Sequence, residues 1–236
     1  MTNTMNPFLT EYHTPYHTTP FHLIRMEHYE PAMLQGMEEH NKEIEAIIQN
    51  PDEPSFSNTI VALEKSGELL NRVSTVFSNL HSAETNDEMD ALAEKIMPML
   101  TEHSNNITLN AQLFNRIKAV YDNKDHLSLN GEEYMLLENT YQSFIRSGAN
   151  LCEKDKDEFK RISADLSLNI LKYSQNLLKE TNAYELRLSE EQLQGLPESA
   201  IATYAQTSKE KGKEGYIVTL QIPSFSPFMK YSTNRE

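Results

Sequence analysis

Histidines are the residues of this chain with the clearest potential for chemistry, and their spacing limits what they can do. The zinc site of a metallopeptidase, when it lies on a helix, needs two histidines one turn apart with a glutamate between them, in the order H-E-x-x-H. The sequence has no such motif. Its one H-x-x-x-H pair, His13 and His17, encloses Pro15, which does not fit the interior of a regular helix. We therefore interpret both histidines as part of a solvated arm.

Two further histidines lie within predicted helices. His40 follows Glu39 and is one turn from Glu43, so it belongs to a carboxylate–imidazole cluster. Such a cluster can bind metal, but on an acidic helix face ion pairing in solvent is favoured. His103 falls on an apolar stripe, which predicts a hydrogen-bonded histidine of the core or of a cleft edge. The sequence also lacks any Glu-x-x-His pair, so it does not support a di-iron bundle.

Cys152 is the single cysteine, and Lys154 and Lys156 follow it closely. A nearby cation lowers a thiol pKa, yet no histidine base with an orienting partner can be identified, so the sequence does not support a nucleophile. The segment Gly212–Gly215, G-K-E-G, lacks the spacing of a phosphate-binding loop and predicts a tight turn instead. The residues themselves therefore predict no catalytic, cofactor-binding or metal-ligating position.

Composition narrows the class of partners. The chain has 236 residues, with 21 Lys and Arg against 35 Asp and Glu, for a net charge of −14. This charge argues against nucleic acid and against anionic membranes, which would both be repelled. The N-terminus lacks a secretory signal pattern, and no stretch of 18 uncharged apolar residues occurs. Together with a single cysteine, these features predict a cytoplasmic location.

The elements that must position these residues are mainly helices, organised around Ser55–Leu80. Ser55, Ser57 and Asn58 are candidate N-caps. The spacing of the apolar residues predicts one long amphipathic helix whose stripe needs other helices against it. The stripe comprises Phe56, Ile60, Leu63, Leu70, Val73, Phe77 and Leu80.

Prolines and capping residues set the expected bounds of the other helices. Pro31 predicts the first position of a helix whose buried face begins at Leu34. Thr85 with Glu88 predicts a capping box, and Pro98 predicts a kink or break near Met97. Further helices are predicted after Asn110, after Asn130, from Glu153 to about Thr181, and at Ala200–Thr207.

The pattern changes near the C-terminal end. Residues 184–188 alternate with period two, and Tyr216–Ile222 is rich in β-branched and aromatic residues, so two strands should pair as a ribbon. The predicted fold is mainly α, a multi-helix bundle-like array with a small two-stranded β ribbon. We expect an extended arm at 1–27, a helical domain at 28–183, and the ribbon with its intervening helices at 184–236.

Seven segments, in order along the chain, resemble the N-terminal region of the peptidyl-dipeptidases, or dipeptidyl carboxypeptidases, zinc metallopeptidases of the thimet oligopeptidase type. The second reads P-F-x-x-I-R-x-E-H-Y-E-P-A and the last P-S-F-x-P-F-M-x-Y-x-x-N-R. The segments are Asn6–Phe8, Pro20–Ala32, Phe56–Phe77, Leu109–Tyr121, Phe144–Leu151, Leu193–Glu198 and Pro223–Arg235.

The resemblance implies a full enzyme about three times this length, with two helical halves beside a deep cleft. Its zinc would be bound by the C-terminal part that is missing here, where zinc-activated water and a glutamate base would release dipeptides from the C-terminus of short peptides. No catalytic or metal residue carries over, because no position in this chain matches those motifs. This part would form one wall or lid of the cleft and would be inactive alone. The alternative is a stand-alone helical binding or scaffold module without catalysis.

Overall fold

A computed structural model describes residues 5–234, and it confirms a mainly helical chain with a two-stranded antiparallel sheet near the C-terminal end. The chain divides into two compact units, the first ending at Asn169 and the second beginning at Ile170. Within the described residues, no helix is both long and apolar enough to span a membrane. The helices and strands are α1 Met26–Ile48, α2 Glu68–Ala83, α3 Asp87–Thr108, α4 Ala111–Asp122, α5 Gly131–Arg146, α6 Glu153–Ala183, β1 Leu186–Leu188, α7 Glu198–Glu210, β2 Tyr216–Val218 and α8 Ile222–Tyr231.

The stretch Ser55–Leu80 is not one continuous helix, and that prediction is wrong. A π-helix at Phe56–Val61 continues as one α-helical turn at Ala62–Glu64, and α2 begins only after Gly67. Gly67 has φ of +72°, a left-handed conformation that glycine adopts with the least strain. The predicted stripe is nevertheless correct, because none of its residues is exposed. The break therefore interrupts the helix without exposing its apolar stripe.

Helix α1 begins five residues before the predicted start. Its N-cap is Arg25, whose backbone N–H donates to Nδ1 of His28 at 3.0 Å. Pro31 thus lies inside the helix rather than at its first position. Leu34, predicted to be buried, is 43% exposed, and the inner face is formed instead by residues such as Tyr29 and Met33. The buried face of α1 therefore includes Ala32 and Met33 and leaves their neighbour Leu34 outside it.

Two expectations for α3 are also corrected. The N-cap is Asn86, whose side chain accepts the N–H of Met89 at 3.0 Å, while the hydroxyl of Thr85 donates to Asp90 at 2.7 Å. The helix runs without a break through Pro98, so the predicted break is wrong, while the alternative of a kink near Met97 stays a prediction. A proline removes only one backbone hydrogen bond, and buried residues before and after it, such as Ile96, keep the helix packed.

The first unit is held together by close contacts between helices. A Cβ at Gly36 in α1 would come within 2.9 Å of the Leu70 backbone, so α1 and α2 approach more closely than a side chain there would allow. A second set of contacts forms an apolar cluster, in which α4, α5 and the C-terminal half of α1 meet the π-helix. Asn110 and Asn130 cap α4 and α5 as predicted, each accepting two backbone N–H groups.

The N-terminal arm packs on helices of its own unit. Residues of the arm form short 3₁₀ turns, and the side chain of Phe8 is fully buried. Its ring lies 5.2 Å from that of Tyr29, and Nη2 of Arg72 donates to the carbonyl of Phe8 at 3.0 Å. Asn6 adds a hydrogen bond from its side-chain amide to the carbonyl of His28 at 2.8 Å. The arm is therefore anchored through Asn6 and Phe8.

The second unit is built around the ribbon and α7. Strands β1 and β2 pair antiparallel, with Leu186 opposite Val218 and Leu188 opposite Tyr216. Tyr204 of α7 is fully buried, and its hydroxyl donates to the carbonyl of Ser224 at 2.9 Å. The second strand ends at Val218 instead of Ile222, because α8 begins at Ile222, with Pro223 in its first turn.

Candidate functional site

The first unit brings two histidines of distant helices into direct contact. Nδ1 of His40 in α1 and Nε2 of His103 in α3 lie 3.0 Å apart. The other ring nitrogen of His40, Nε2, is 3.1 Å from the hydroxyl oxygen of Ser66. His103 is buried and His40 is half-buried. We take the cluster of His40, Ser66 and His103 as the candidate site. We call its two imidazoles, those of His40 and His103, the histidine pair.

The hydrogen bonds determine which nitrogen carries each proton. The hydroxyl of Ser66 lies 2.7 Å from the carbonyl of Leu63, which can only accept, so the serine proton points there. Ser66 must then accept from the Nε2–H of His40. Nδ1 of neutral His40 is consequently bare, and it accepts the Nε2–H of His103. One directed chain therefore runs from His103 through His40 and Ser66 to Leu63.

This direction of the hydrogen bonds decides what the cluster can do. A serine nucleophile must donate its proton to the histidine base, whereas here His40 presents an N–H to Ser66. A zinc ion needs at least three protein ligands, and within residues 5–234 no group of three His, Cys, Asp or Glu side chains is placed to hold a metal. The described residues thus do not fit a zinc site. The geometry is that of a structural hydrogen-bond chain.

Burial changes the titration of both rings. Loss of water lowers the pKa of the His40 imidazole, and the nearby Glu43 carboxylate opposes this shift. Burial also lowers the pKa of His103, and the neighbouring His40 lowers it further. Both shifts keep the pair neutral near pH 7, which the hydrogen-bond chain requires, because a second proton would place two N–H groups against each other.

The break before α2 is fitted to the same cluster. The N–H of Gly67 donates to Oε2 of Glu43 at 2.7 Å, and the His40 ring occupies the space where a Cβ of residue 67 would be, 2.9 Å away. The predicted ion pairing of His40 in solvent is wrong, because Ser66 and His103 hold its half-buried ring, while the exposed Glu43 accepts the N–H of Gly67. Beside the pair lies an open cavity of about 470 Å³, lined among others by Leu100 and Ile107.

The structure does not gather the other candidate residues around this pair. His13 and His17 are exposed, and Nδ1 of His17 lies 2.9 Å from the carbonyl of Tyr12. Cys152 is exposed and unpaired with another cysteine.

Near the C-terminal end, the predicted tight turn is present, since Gly212 and Gly215 both have positive φ. In the last of the seven resembling segments, Tyr231 and Asn234 are exposed, and Arg235 lies outside the described residues.

The contact between His40 and His103 is not visible in the sequence pattern, because 63 positions separate the two residues. One signal was available, since His103 lay on an apolar stripe and a buried imidazole needs a polar partner. The sequence did not identify that partner, because helix pairing decides it.

Comparison with known proteins gives the chain its relatives. No family model matches it. It is 40% identical to the dipeptidyl carboxypeptidase of Escherichia coli (strain K12), over 99% of this chain and 35% of that protein. The dipeptidyl carboxypeptidase of Salmonella typhimurium is 37% identical, over 89% of this chain and 31% of that protein. The oligopeptidase A of Salmonella typhimurium is 29% identical, over 98% of this chain and 33% of that protein.

The chain spans about a third of the length of these relatives. The resemblance stated from the seven segments is confirmed: this chain matches the N-terminal region of dipeptidyl carboxypeptidases, with oligopeptidase A as a more distant relative.

Proposed function

We propose that this chain is the N-terminal, non-catalytic part of a zinc metallopeptidase that releases dipeptides from the C-terminus of short peptides. One observation carries the proposal: 99% of the chain is matched at 40% identity by a dipeptidyl carboxypeptidase of which the match covers only 35%. An activity named for that whole protein can come to this chain only as part of a longer polypeptide.

The chemistry of the described residues supports a non-catalytic role. The sequence lacks H-E-x-x-H, and its histidine pair is directed toward Ser66 and the Leu63 carbonyl rather than toward an open coordination position. We therefore assign the zinc to the catalytic part that lies outside these 236 residues. No step of the reaction is assigned to a side chain of this chain.

The role that we propose for the chain is one wall, or lid, of the substrate cleft. A cleft between helical walls admits an extended peptide and excludes a folded protein, which makes such an enzyme selective for short substrates. The partners are then short peptides and the catalytic remainder of the polypeptide. The net charge of −14 opposes nucleic acid and anionic membranes as partners. Because the chain has a single cysteine and so no internal disulfide, we also propose a cytoplasmic location.

The proposal is tested by comparing this chain with the longest product of its gene. Each is incubated with a short N-blocked peptide, with and without a metal chelator, and released dipeptide is measured. We expect release only from the longer product and its loss with chelator. Release by the 236-residue chain alone would overturn the non-catalytic assignment. A gene product that ends without a downstream H-E-x-x-H would favour the stand-alone binding or scaffold module instead.

A further inference from the structure

Helix α6 exposes an apolar stripe along most of its length. Five residues spaced four, four, three and four positions apart lie on one face of this single helix. They are Ile162, 50% exposed, Leu166, 57%, Ile170, 57%, Tyr173, 68%, and Leu177, 54%. We call these five residues the α6 stripe.

The opposite face of α6 is the one that packs within the described chain. Leu171 is buried, and Ala164 and Leu168, which share its face by helical spacing, are partly buried. The buried atoms of this face include Oγ of Ser167 and Nε2 of Gln175, neither of which has a hydrogen-bond partner within residues 5–234. The exposed side of α6 thus carries an apolar stripe of its own, whereas a helix at a water-exposed surface is expected to turn such a stripe toward the core.

A stripe of this extent is unusual for a surface that remains in water. Five large side chains, each exposed by half or more, form a continuous patch on the order of several hundred Å², which is at the upper end of what monomers show. Single exposed apolar residues need no explanation, but a row at helical spacing marks an interaction site. The area is also in the range of interfaces between domains of one polypeptide.

The net charge of the chain argues against a second copy of it as the partner that covers the α6 stripe. A second copy of this chain would bring another net charge of −14 to the same contact, and the repulsion opposes self-association. The relatives, by contrast, contain about twice this length of additional polypeptide, since the match covers 35% of the E. coli protein. A segment of the same polypeptide would reach the stripe at a high effective concentration and would need no strong intrinsic affinity.

We propose that the α6 stripe is the docking surface for the catalytic remainder of the longer polypeptide. This inference rests on the proposed function, because it takes its occupant from the region of the relatives that this chain lacks. The stripe would hold this part of the chain in a fixed position beside the catalytic part, and the docking would bury Tyr173 and Leu166.

The test uses a chimera in which this 236-residue chain is followed by the part of E. coli dipeptidyl carboxypeptidase beyond the matched region. Hydroxyl-radical footprinting reports the solvent exposure of Tyr173 in the chimera and in the chain alone. Tyr16, which is 96% exposed and lies outside α6, is the internal reference. We expect Tyr173 to be oxidised at least about threefold more slowly in the chimera, as for a side chain in the core of an interface, with Tyr16 unchanged.

A matched pair of variants shows whether the stripe itself causes the protection. The double substitution Leu166→Gln with Ile170→Gln keeps size and helix propensity but removes apolar contact. The control, Lys172→Gln with Lys179→Gln, introduces the same residue type at exposed positions outside the stripe. We expect the stripe variant to restore Tyr173 oxidation in the chimera to the rate in the chain alone, and the control to leave it protected.

Several outcomes would overturn the docking proposal. One is that Tyr173 is oxidised equally fast in the chimera and in the chain alone. Another is that the stripe variant and the control variant protect Tyr173 to the same extent. A third is that sedimentation shows the chain alone to be a dimer and the stripe variant to be a monomer. If the chimera does not fold, sedimentation of the chain mixed with the separately produced E. coli remainder replaces footprinting. No binding there, or equal binding by both variants, would also overturn it.

Dipeptide release by the chimera separates this proposal from the proposed function. Release with an unprotected Tyr173 would leave the proposed function standing and remove the docking surface. A protected Tyr173 in a folded chimera that releases no dipeptide would leave the docking surface and count against the proposed function.

Discussion

Nδ1 of His40 and Nε2 of His103 lie 3.0 Å apart, although 63 positions separate the two residues in the chain. The contact joins α1 to α3, and the second nitrogen of His40 extends it to Ser66, immediately before the chain break at Gly67. One hydrogen-bond chain therefore connects three segments of the first unit. Its requirement for neutral imidazoles gives the unit a specific sensitivity to acid.

The histidine pair should make stability depend on pH. Burial lowers the pKa of both rings in the native state, so below about pH 6.5 the unfolded chain binds protons that the native chain does not. This part of the stability is present above pH 6.5 and is lost as the pH falls toward the native pKa values. Urea unfolding at pH 7.5, 6.5 and 5.5 measures it.

A substitution isolates the contribution of the pair. His103→Gln removes one titrating ring, and we expect the decline between pH 7.5 and 5.5 to become smaller than in the unsubstituted chain. His126→Gln, at an exposed histidine, is the control and should leave the decline unchanged. An identical decline in His103→Gln would contradict the assignment of the acid sensitivity to the pair.

The break at Gly67 should not tolerate a side chain. Gly67→Ala places a Cβ within 2.9 Å of the His40 ring on a backbone with φ of +72°, so we expect a loss of about 1–3 kcal/mol in unfolding free energy. Gly131→Ala is the matched control, because Gly131 begins α5 and has open space around it. That change should be neutral or should stabilise by about 0.4–1 kcal/mol. Equal effects of the two changes, measured by urea unfolding, would show that the left-handed conformation is not required.

The arm should contribute to stability through one residue. Phe8→Ala deletes a fully buried ring that contacts Tyr29, and we expect a cost of about 3 kcal/mol. Phe21→Ala, in the same arm but 57% exposed, should stay within about 0.5 kcal/mol of the unsubstituted chain. Urea unfolding measures both, and limited proteolysis should cut the arm faster only in Phe8→Ala. A tolerated Phe8→Ala would mean that the arm is not anchored by this ring.

The second unit has a comparable internal anchor. Tyr204→Phe removes the hydroxyl that donates to the carbonyl of Ser224, and we expect a loss of about 1 kcal/mol from one buried hydrogen bond. Tyr184→Phe, at a tyrosine that is 45% exposed, serves as the control and should change stability by less than about 0.5 kcal/mol. Thermal unfolding followed by circular dichroism compares the two, and an unchanged midpoint in Tyr204→Phe would refute the anchor.

The sequence by itself determined where most of the helices lie and which face of the central segment is buried. Apolar residues at helical spacing predicted the stripe of Phe56–Leu80, and asparagines at 110 and 130 predicted two helix starts, because an N-cap satisfies backbone donors within a few residues. The alternation at residues 184–188 predicted the first strand of the ribbon for the same local reason. The seven resembling segments predicted the relatives.

Tertiary structure decided what local patterns cannot encode. Gly67 interrupts the central helix because Glu43 and His40 come from another helix to hold its N–H and fill its side-chain space. His40 is half-buried and contacts His103, which a third helix supplies. The exposed α6 stripe follows the same rule, since spacing shows that a helix has an apolar face, whereas only the fold shows what packs against it. Contacts between segments far apart in the chain thus determine which side chains meet in the site. The sequence pattern determines only the helices that carry those side chains.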